Sequence, residues 1–308
     1  MNRKIAVFAI WIVLLIISSV ILYRAVSNMR AQVGRPAPGA HKAFDASSKP
    51  ADQRGEGLEI KAAEDAIAKS RESAKTEDAY WLLASIYEKR EDLLKLKEIY
   101  QKILEEFPSS NNVLKAQEAA ENTNVELLFS DIADPDSFIY QVQKGDGLAK
   151  IAKKFNTTVE LISKANGLKG GVLRYGRNLK ITRLKFSIVI DKSQNILTLK
   201  ADGKIFKTYR VSTGKDSSTP VGSFKITIKI IDPPWYPAKG KPIPSGDPRN
   251  VLGSRWLGIS RPGYGIHGTT DPLSIGKSVT EGCIRMKNRE VEELYSIVPE
   301  GTEVIIVD

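Results

Sequence analysis

The sequence is poor in the residues that carry most side-chain chemistry. In 308 residues there is one cysteine, Cys283, and there are two histidines, His41 and His267. A single cysteine excludes an intrachain disulfide. A thiol without a partner in its own chain is more easily explained, in an exported protein, as a reactive group than as half of a bridge. The shortage of imidazole is equally restrictive. A group that takes a proton from Cys283 near neutral pH is most naturally a histidine. His41 sits in a polar, small-residue segment, whereas His267 is joined to Cys283 by Gly, Pro, Ser and Thr, which is loop composition. His267 is therefore the natural base.

Charge is uneven as well. The net charge is +10, yet residues 138–185 alone carry eleven Lys and Arg against two Asp and Glu. Such a patch suits nucleic acid, anionic lipid or an anionic polymer, and it is equally compatible with a solvated face. One long apolar run is present. Ile5 to Tyr23 contains no charged residue, and as a helix it would span roughly 28 Å, close to a hydrocarbon core. Its length favours an uncleaved transmembrane anchor (residues 1–30) over a cleaved leader, whose apolar segment is usually shorter. Residues 31–57, rich in Ala, Pro, Gly, Ser and charge, read as a flexible tether.

Helical spacing follows over 58–122. Leu58, Ala62 and Ala66 form one apolar face, Trp81, Ala84, Ile86 and Tyr87 a second, and Leu93, Leu96, Ile99, Tyr100, Ile103, Leu104 and Phe107 a third that Pro108 stops. The Trp-initiated helix and the Glu-Glu-Phe-Pro end of its successor resemble a tetratricopeptide-type hairpin, which implies a spacer or a site for a protein partner. Residues 123–137 read as a linker.

From Phe138 to Arg183 a strand pattern turns at Gly145-Asp146-Gly147 into a short helix carrying Leu148, Ile151, Ala152 and Phe155. Thr157 or Thr158 is placed to cap a second helix, and a closing strand ends at Ile181. This β-α-α-β order resembles a LysM module over 138–183. The resemblance implies binding of peptidoglycan glycan strands, with the Gly145-Asp146-Gly147 turn, the Asn166-Gly167 loop and Asn156 as candidate sugar contacts.

Residues 186–308 change to alternation: Phe186, Ile188, Ile190; Ile196, Leu197, Leu199; Asp202-Gly203 as a two-residue hairpin; then Ile205 to Val211 and Val221 to Ile230. A short helix over Glu290–Ile297 and a last strand over Thr302–Val307 complete a mostly-β domain. Thr219-Pro220-Val221-Gly222-Ser223-Phe224, His267-Gly268-Thr269, Ile275-Gly276 and Gly282-Cys283-Ile284-Arg285-Met286 together resemble the L,D-transpeptidase catalytic domain. The expected fold class is therefore multidomain: a transmembrane helix, a helical hairpin region, a small LysM module and a mostly-β catalytic domain.

The resemblance implies a cysteine acyltransferase acting on peptidoglycan stem peptides, without metal or cofactor. Cys283 is its nucleophile, His267 its base, and the Gly268 carbonyl orients the imidazole. Gly282 and Cys283 offer N–H groups to an oxyanion, with Thr280 beside them. Arg285, two residues on along an extended segment, projects to the same face as Cys283 and suits a substrate carboxylate. Tyr264, Trp235 and Tyr236 are candidates for the cleft wall or for aromatic packing. One departure stands out: many members have His immediately before the Gly-Cys pair, and this chain has Glu281, so a single imidazole carries the proton work. Hydrolysis of the stem (L,D-carboxypeptidase), attachment of a wall protein and a non-catalytic wall-binding scaffold are the other readings. A location outside the cytoplasm removes nucleic acid as a ligand.

Overall fold

The computed structural model describes residues 53–69, 73–169, 173–237 and 239–308. Four helices come first: α1 (Gln53–Lys69), α2 (Ser73–Lys89), α3 (Leu93–Glu106) and α4 (Val113–Phe129). Each packs on the next. Asp92 caps α3 by accepting from the Lys95 N–H at 3.0 Å. Leu83, Ala84, Tyr87, Leu96, Ile99, Tyr100, Ile103 and Ala116 close the core of this layer.

Four expectations change here. The transmembrane helix is removed from the fold class: among the described residues no helix is long and apolar enough to cross a membrane, and residues 5–23 lie outside them. The tether is shortened, because α1 begins at Gln53. The face expected from Leu58, Ala62 and Ala66 is exposed, and α1 instead turns Ile60, Ala63 and Ile67 inward. The expected linker over 123–137 is helical as far as Phe129. Its pattern is blurred because α4 is covered on two sides, by α3 and by the edge of the catalytic sheet.

The small module follows as β1 (Ser137–Gln141), α5 (Leu148–Lys154), α6 (Val159–Ala165) and β2 (Asn178–Thr182), with β1 and β2 antiparallel. Thr158 is the cap of α6, its hydroxyl accepting from the Leu161 N–H at 2.9 Å.

The last domain is an eight-stranded sheet. Its strands are β3 (Phe186–Asp191), β4 (Ile196–Ala201), β5 (Lys204–Arg210), β7 (Gly222–Ile231), β8 (Arg255–Ile259), β9 (Gly265–His267), β11 (Ile284–Arg285) and β12 (Glu303–Val307), in the order β11-β9-β8-β7-β12-β3-β4-β5. A separate parallel pair, β6 (Thr213–Gly214) and β10 (Ser278–Thr280), lies beside it. The hairpin at Asp202-Gly203 has positive φ at both residues, the geometry that suits a tight turn between twisted strands. Helix α7 (Asn288–Ile297) buries Val291, Leu294 and Ile297 with the strand residues Ile188, Ile190, Leu257 and Ile266.

The modules are joined by buried contacts. Val125 and Leu128 of α4 and Leu161 of α6 belong to the catalytic domain's core. Glu121 of α4 accepts from the Thr208 N–H (3.1 Å) and hydroxyl (3.0 Å) on the edge strand β5. Thr158 of the small module donates to the Ser296 carbonyl on α7, and Lys164 reaches the Ser296 hydroxyl at 2.9 Å. Lys180 on β2 is 4% exposed. It donates to the Leu127 carbonyl (2.7 Å) and the Ser130 carbonyl (3.1 Å) at the end of α4, and it pairs with Asp134 at 3.1 Å.

Removing one partner of a buried, hydrogen-bonded pair leaves the other charge uncompensated. Lys180→Met is expected to lower unfolding free energy by about 3–5 kcal/mol, read from urea titration; an unchanged midpoint would show that the lysine does not weld these modules.

Candidate active site

The site is organised by one short parallel pairing. Strand β11 lies beside β9 with Ile284 opposite Ile266 and Arg285 opposite His267. Ile266 and Ile284 are fully buried in the core. Alternation then sends His267, Arg285 and Cys283 to the opposite face of the sheet. The sixteen-residue loop thus returns the cysteine to the strand that carries the histidine.

Backbone clamps fix the nucleophile's turn. Thr280 donates from its hydroxyl to the Cys283 carbonyl at 2.6 Å and accepts from the Gly282 N–H at 3.2 Å. Thr219 donates to the Gly282 carbonyl at 3.0 Å while accepting from the Gly214 N–H at 2.7 Å. Gly282 has φ +121°, and a Cβ there would stand 2.7 Å from the Tyr264 ring, so both conformation and space require glycine. The Gly282 N–H is committed to Thr280. The Cys283 N–H, which has no acceptor among the described residues, is left as the donor for an oxyanion.

His267 is 3% exposed and stacks on Trp256, with ring centroids 6.0 Å apart and planes 18° apart. Its Nδ1 lies 2.7 Å from the Gly268 carbonyl oxygen. Asn288, the first residue of α7, secures the loop that carries this carbonyl by accepting from the Thr269 N–H at 2.9 Å and the Ser254 N–H at 3.3 Å. Burial pulls the imidazole down to about 4, and the nearby Arg285 charge adds to that, against the carbonyls of Gly268 and Leu252 that favour the protonated ring. The ring is neutral at pH 7.

The Cys283 thiol is half-buried and bonded to the Gly263 carbonyl at 3.6 Å, not to the imidazole. Burial pushes its pKa up, and the Glu281 charge pushes in the same direction, against the Gly265 N–H and Arg285. The resting pair is a neutral thiol and a neutral imidazole. Arg285 donates to the Ser274 hydroxyl at 3.0 Å, while its buried Nε has no partner. Among the described residues it has no ion pair, so its charge stands free on the catalytic face.

The small module holds its candidate contacts differently. Asp146 accepts from the Gln143 N–H (2.9 Å) and the Tyr140 hydroxyl (2.7 Å), which hold its carboxyl below the usual range. It shapes the turn that carries Gly145 and Gly147. Asn166 spends its amide inside the fold: Nδ2 donates to the carbonyls of Ile162 (2.8 Å) and Lys180 (2.9 Å), and Oδ1 accepts from the Lys180 N–H (2.7 Å). Its side chain is a clamp between α6 and β2 rather than a free sugar contact, and Gly167 continues the turn after it. Asn156 has positive φ in the turn between α5 and α6.

Among the aromatic candidates, Tyr264 packs against Gly282, Trp235 pairs its backbone with Ile243, and Tyr236 is 70% exposed. Trp256, Asn288 and Ser274 stand at the site without a sequence signal of their own, and Thr219, the first residue of the Thr-Pro-x-Gly-x-Phe string, has a contact there that the string does not disclose. Each acts through strand register or a contact across more than ten residues of chain.

Residues 185–306 match the family model for the YkuD L,D-transpeptidase catalytic domain, and residues 140–182 match that for the LysM domain. A Bacillus licheniformis protein named as an L,D-transpeptidase, YkuD, is 39% identical over 176 residues, covering 54% of this chain and 98% of that protein. A Bacillus subtilis protein named likewise, YqjB, is 43% identical over 127 residues, covering 39% of this chain and 70% of that one. A solved L,D-transpeptidase from Mycobacterium smegmatis overlays with a TM-score of 0.35 at 19% identity, covering 43% of this chain and 64% of that one.

A histidine near 4 in the fold and near its ordinary 6.5 when unfolded makes stability pH-dependent. Its contribution is complete above 6.5 and is lost as pH falls toward 4, because only the unfolded chain takes up the proton. The loss is about 3 kcal/mol. His267→Asn is expected to remove that part of the acid limb in urea unfolding at pH 7 and pH 4; parallel losses in both proteins would contradict the burial of a neutral ring.

Proposed function

This chain belongs to the L,D-transpeptidase family, and we propose that it joins peptidoglycan stem peptides through an acyl-enzyme on Cys283. The observation that carries the reading is the β9–β11 register, which aligns nucleophile, imidazole and a free guanidinium on one face.

The chemistry follows from that alignment. The thiol leaves the Gly263 carbonyl by a side-chain rotation and gives its proton to the imidazole nitrogen not bonded to Gly268. Catalytic hydrogen bonds commonly tighten only with substrate present. The sulfur attacks the carbonyl of the third stem residue, and the Cys283 N–H stabilises the oxyanion. The imidazolium returns the proton to the departing amine of the terminal D-residue. An amine of a second stem then attacks the thioester, loses its proton to His267 and releases the thiolate. The bond made replaces the bond broken, so no other energy source enters.

Arg285 is the seat for a substrate carboxylate, since its guanidinium lacks a carboxylate in the protein. Neutralising that charge also relieves its depression of the imidazole, so a bound donor makes His267 a better base. The LysM module, seated on α7 through Thr158, Leu161 and Lys164, binds the glycan strand and carries the catalytic face along it. The enzyme acts outside the cytoplasm, where its substrate lies.

Incubation of the full chain with purified disaccharide-tetrapeptide, followed by mass spectrometry, separates the outcomes. A cross-linked dimer is expected; tripeptide monomer alone would make the enzyme a carboxypeptidase. Cys283→Ala is expected to abolish both products while still sedimenting with insoluble peptidoglycan, and turnover by that variant would defeat the proposal.

A further inference from the structure

Strand β8 carries an aromatic residue that the core does not use. In the β8–β9 pairing Trp256 stands opposite His267, and Gly258 stands opposite Gly265. Leu257, between them, is fully buried in the core. Trp256 and Gly258 therefore share the catalytic face with Gly265, His267, Cys283 and Arg285. The largest side chain of β8 points away from the hydrophobic cluster and is only half-buried.

The indole lies where a side chain on either glycine would stand. A Cβ on Gly258 would be 2.9 Å from the indole Nε1, and one on Gly265 would be 2.7 Å from its Cζ2. Both distances are shorter than real carbon contacts, so two adjacent strands are left bare to form its bed. Gly265 also precedes His267 by two residues, beside the point where Cys283 enters β11. From this bed the indole reaches the imidazole and stacks on it, 6.0 Å between centroids at 18°. Opposite strand positions come close enough for such a pair to constrain both rings.

We propose that Trp256 is a positioning residue that fixes the plane of His267 and closes one face of its ring to water, so that the ring edge is presented toward Cys283. The effect on turnover rests on the acyl-transfer reading above; the effect on the histidine does not. The Gly268 carbonyl at Nδ1 and the Leu252 carbonyl hold the imidazole through its edge and leave its faces to other groups. The stacked indole covers one of those faces and resists tilting of the ring out of its plane. It also contributes to the burial that holds His267 down at about 4.

The two histidines make the test direct. In the full chain, His41→Asn leaves one imidazole signal, which NMR can follow against pH with Trp256 intact, as Trp256→Phe and as Trp256→Ala. The signal is expected to titrate near 4 with Trp256 and with Phe, which still stacks. In Trp256→Ala it should move to between about 5 and 6.5. With disaccharide-tetrapeptide, Trp256→Ala is expected to lose about 10- to 100-fold in kcat with KM changed less than about threefold, and Trp256→Phe to recover most of the loss. An unmoved titration in Trp256→Ala overturns the proposal, as does Trp256→Phe as damaged as Trp256→Ala in both measurements. Urea midpoints identify a variant that has simply unfolded. Absent turnover in the unaltered enzyme would sink the acyl-transfer reading, and the titration would still decide the role of the indole.

Discussion

The parallel pairing of β11 with β9 is the constraint on which the site depends. It spans only two residue pairs, Ile284 with Ile266 and Arg285 with His267. A one-residue slip would send Cys283 into the core and Ile284 into solvent. Two buried isoleucines make that slip costly, and the surroundings remove what freedom remains. Ser212 bonds Arg285 from the other side of β11, through N–H and carbonyl both. Thr280 and Thr219 hold the two carbonyls of the Gly282–Cys283 turn. Asn288 fastens the segment after His267 to the start of α7. His267 and Cys283 stand at strand ends, and the rigidity comes from hydroxyls and one amide that bond to backbone.

The electrostatics describe an enzyme at rest. A thiol raised by burial and by Glu281 faces an imidazole lowered by burial and by Arg285. Neither favours the thiolate–imidazolium pair, and the thiol is turned to the Gly263 carbonyl. A permanently ionised cysteine would be open to oxidation and alkylation. In the proposed mechanism Arg285 connects substrate to activation, because the charge that depresses the imidazole is the one a donor carboxylate would neutralise.

Much of this was legible in the chain because the signals are local. The singling out of Cys283 and His267 follows from scarcity, the β3 to β5 strands from alternation and the Asp202-Gly203 hairpin from turn chemistry. Other features depend on surroundings that spacing does not record. Helix α4 is apolar on two sides, so it lacks a single stripe, and Val125 and Leu128 belong to a core formed mostly by residues far along the chain. Asn166 has the composition of a sugar contact, but its amide is consumed by Lys180 and Ile162. Nothing in the Gly282-Cys283 spacing discloses that the Gly282 N–H is held by Thr280. Trp256 becomes a neighbour of His267 only when β8 and β9 pair.

The modules contribute to one body rather than a string of beads. Helix α4 covers the edge strand β5 through Glu121, and α6 of the LysM module rests on α7, whose first residue secures the histidine loop. Glycan engagement and chemistry thus share one rigid element. The central claim is that all transfer passes through sulfur at position 283. Rapid mixing of the full chain with disaccharide-tetrapeptide, acid quenching and peptide mapping by mass spectrometry tests it directly. The account predicts a disaccharide-tripeptide acyl group on Cys283 that forms and decays with turnover. Product formation with Cys283 unmodified throughout, or the acyl group on another residue, would contradict it.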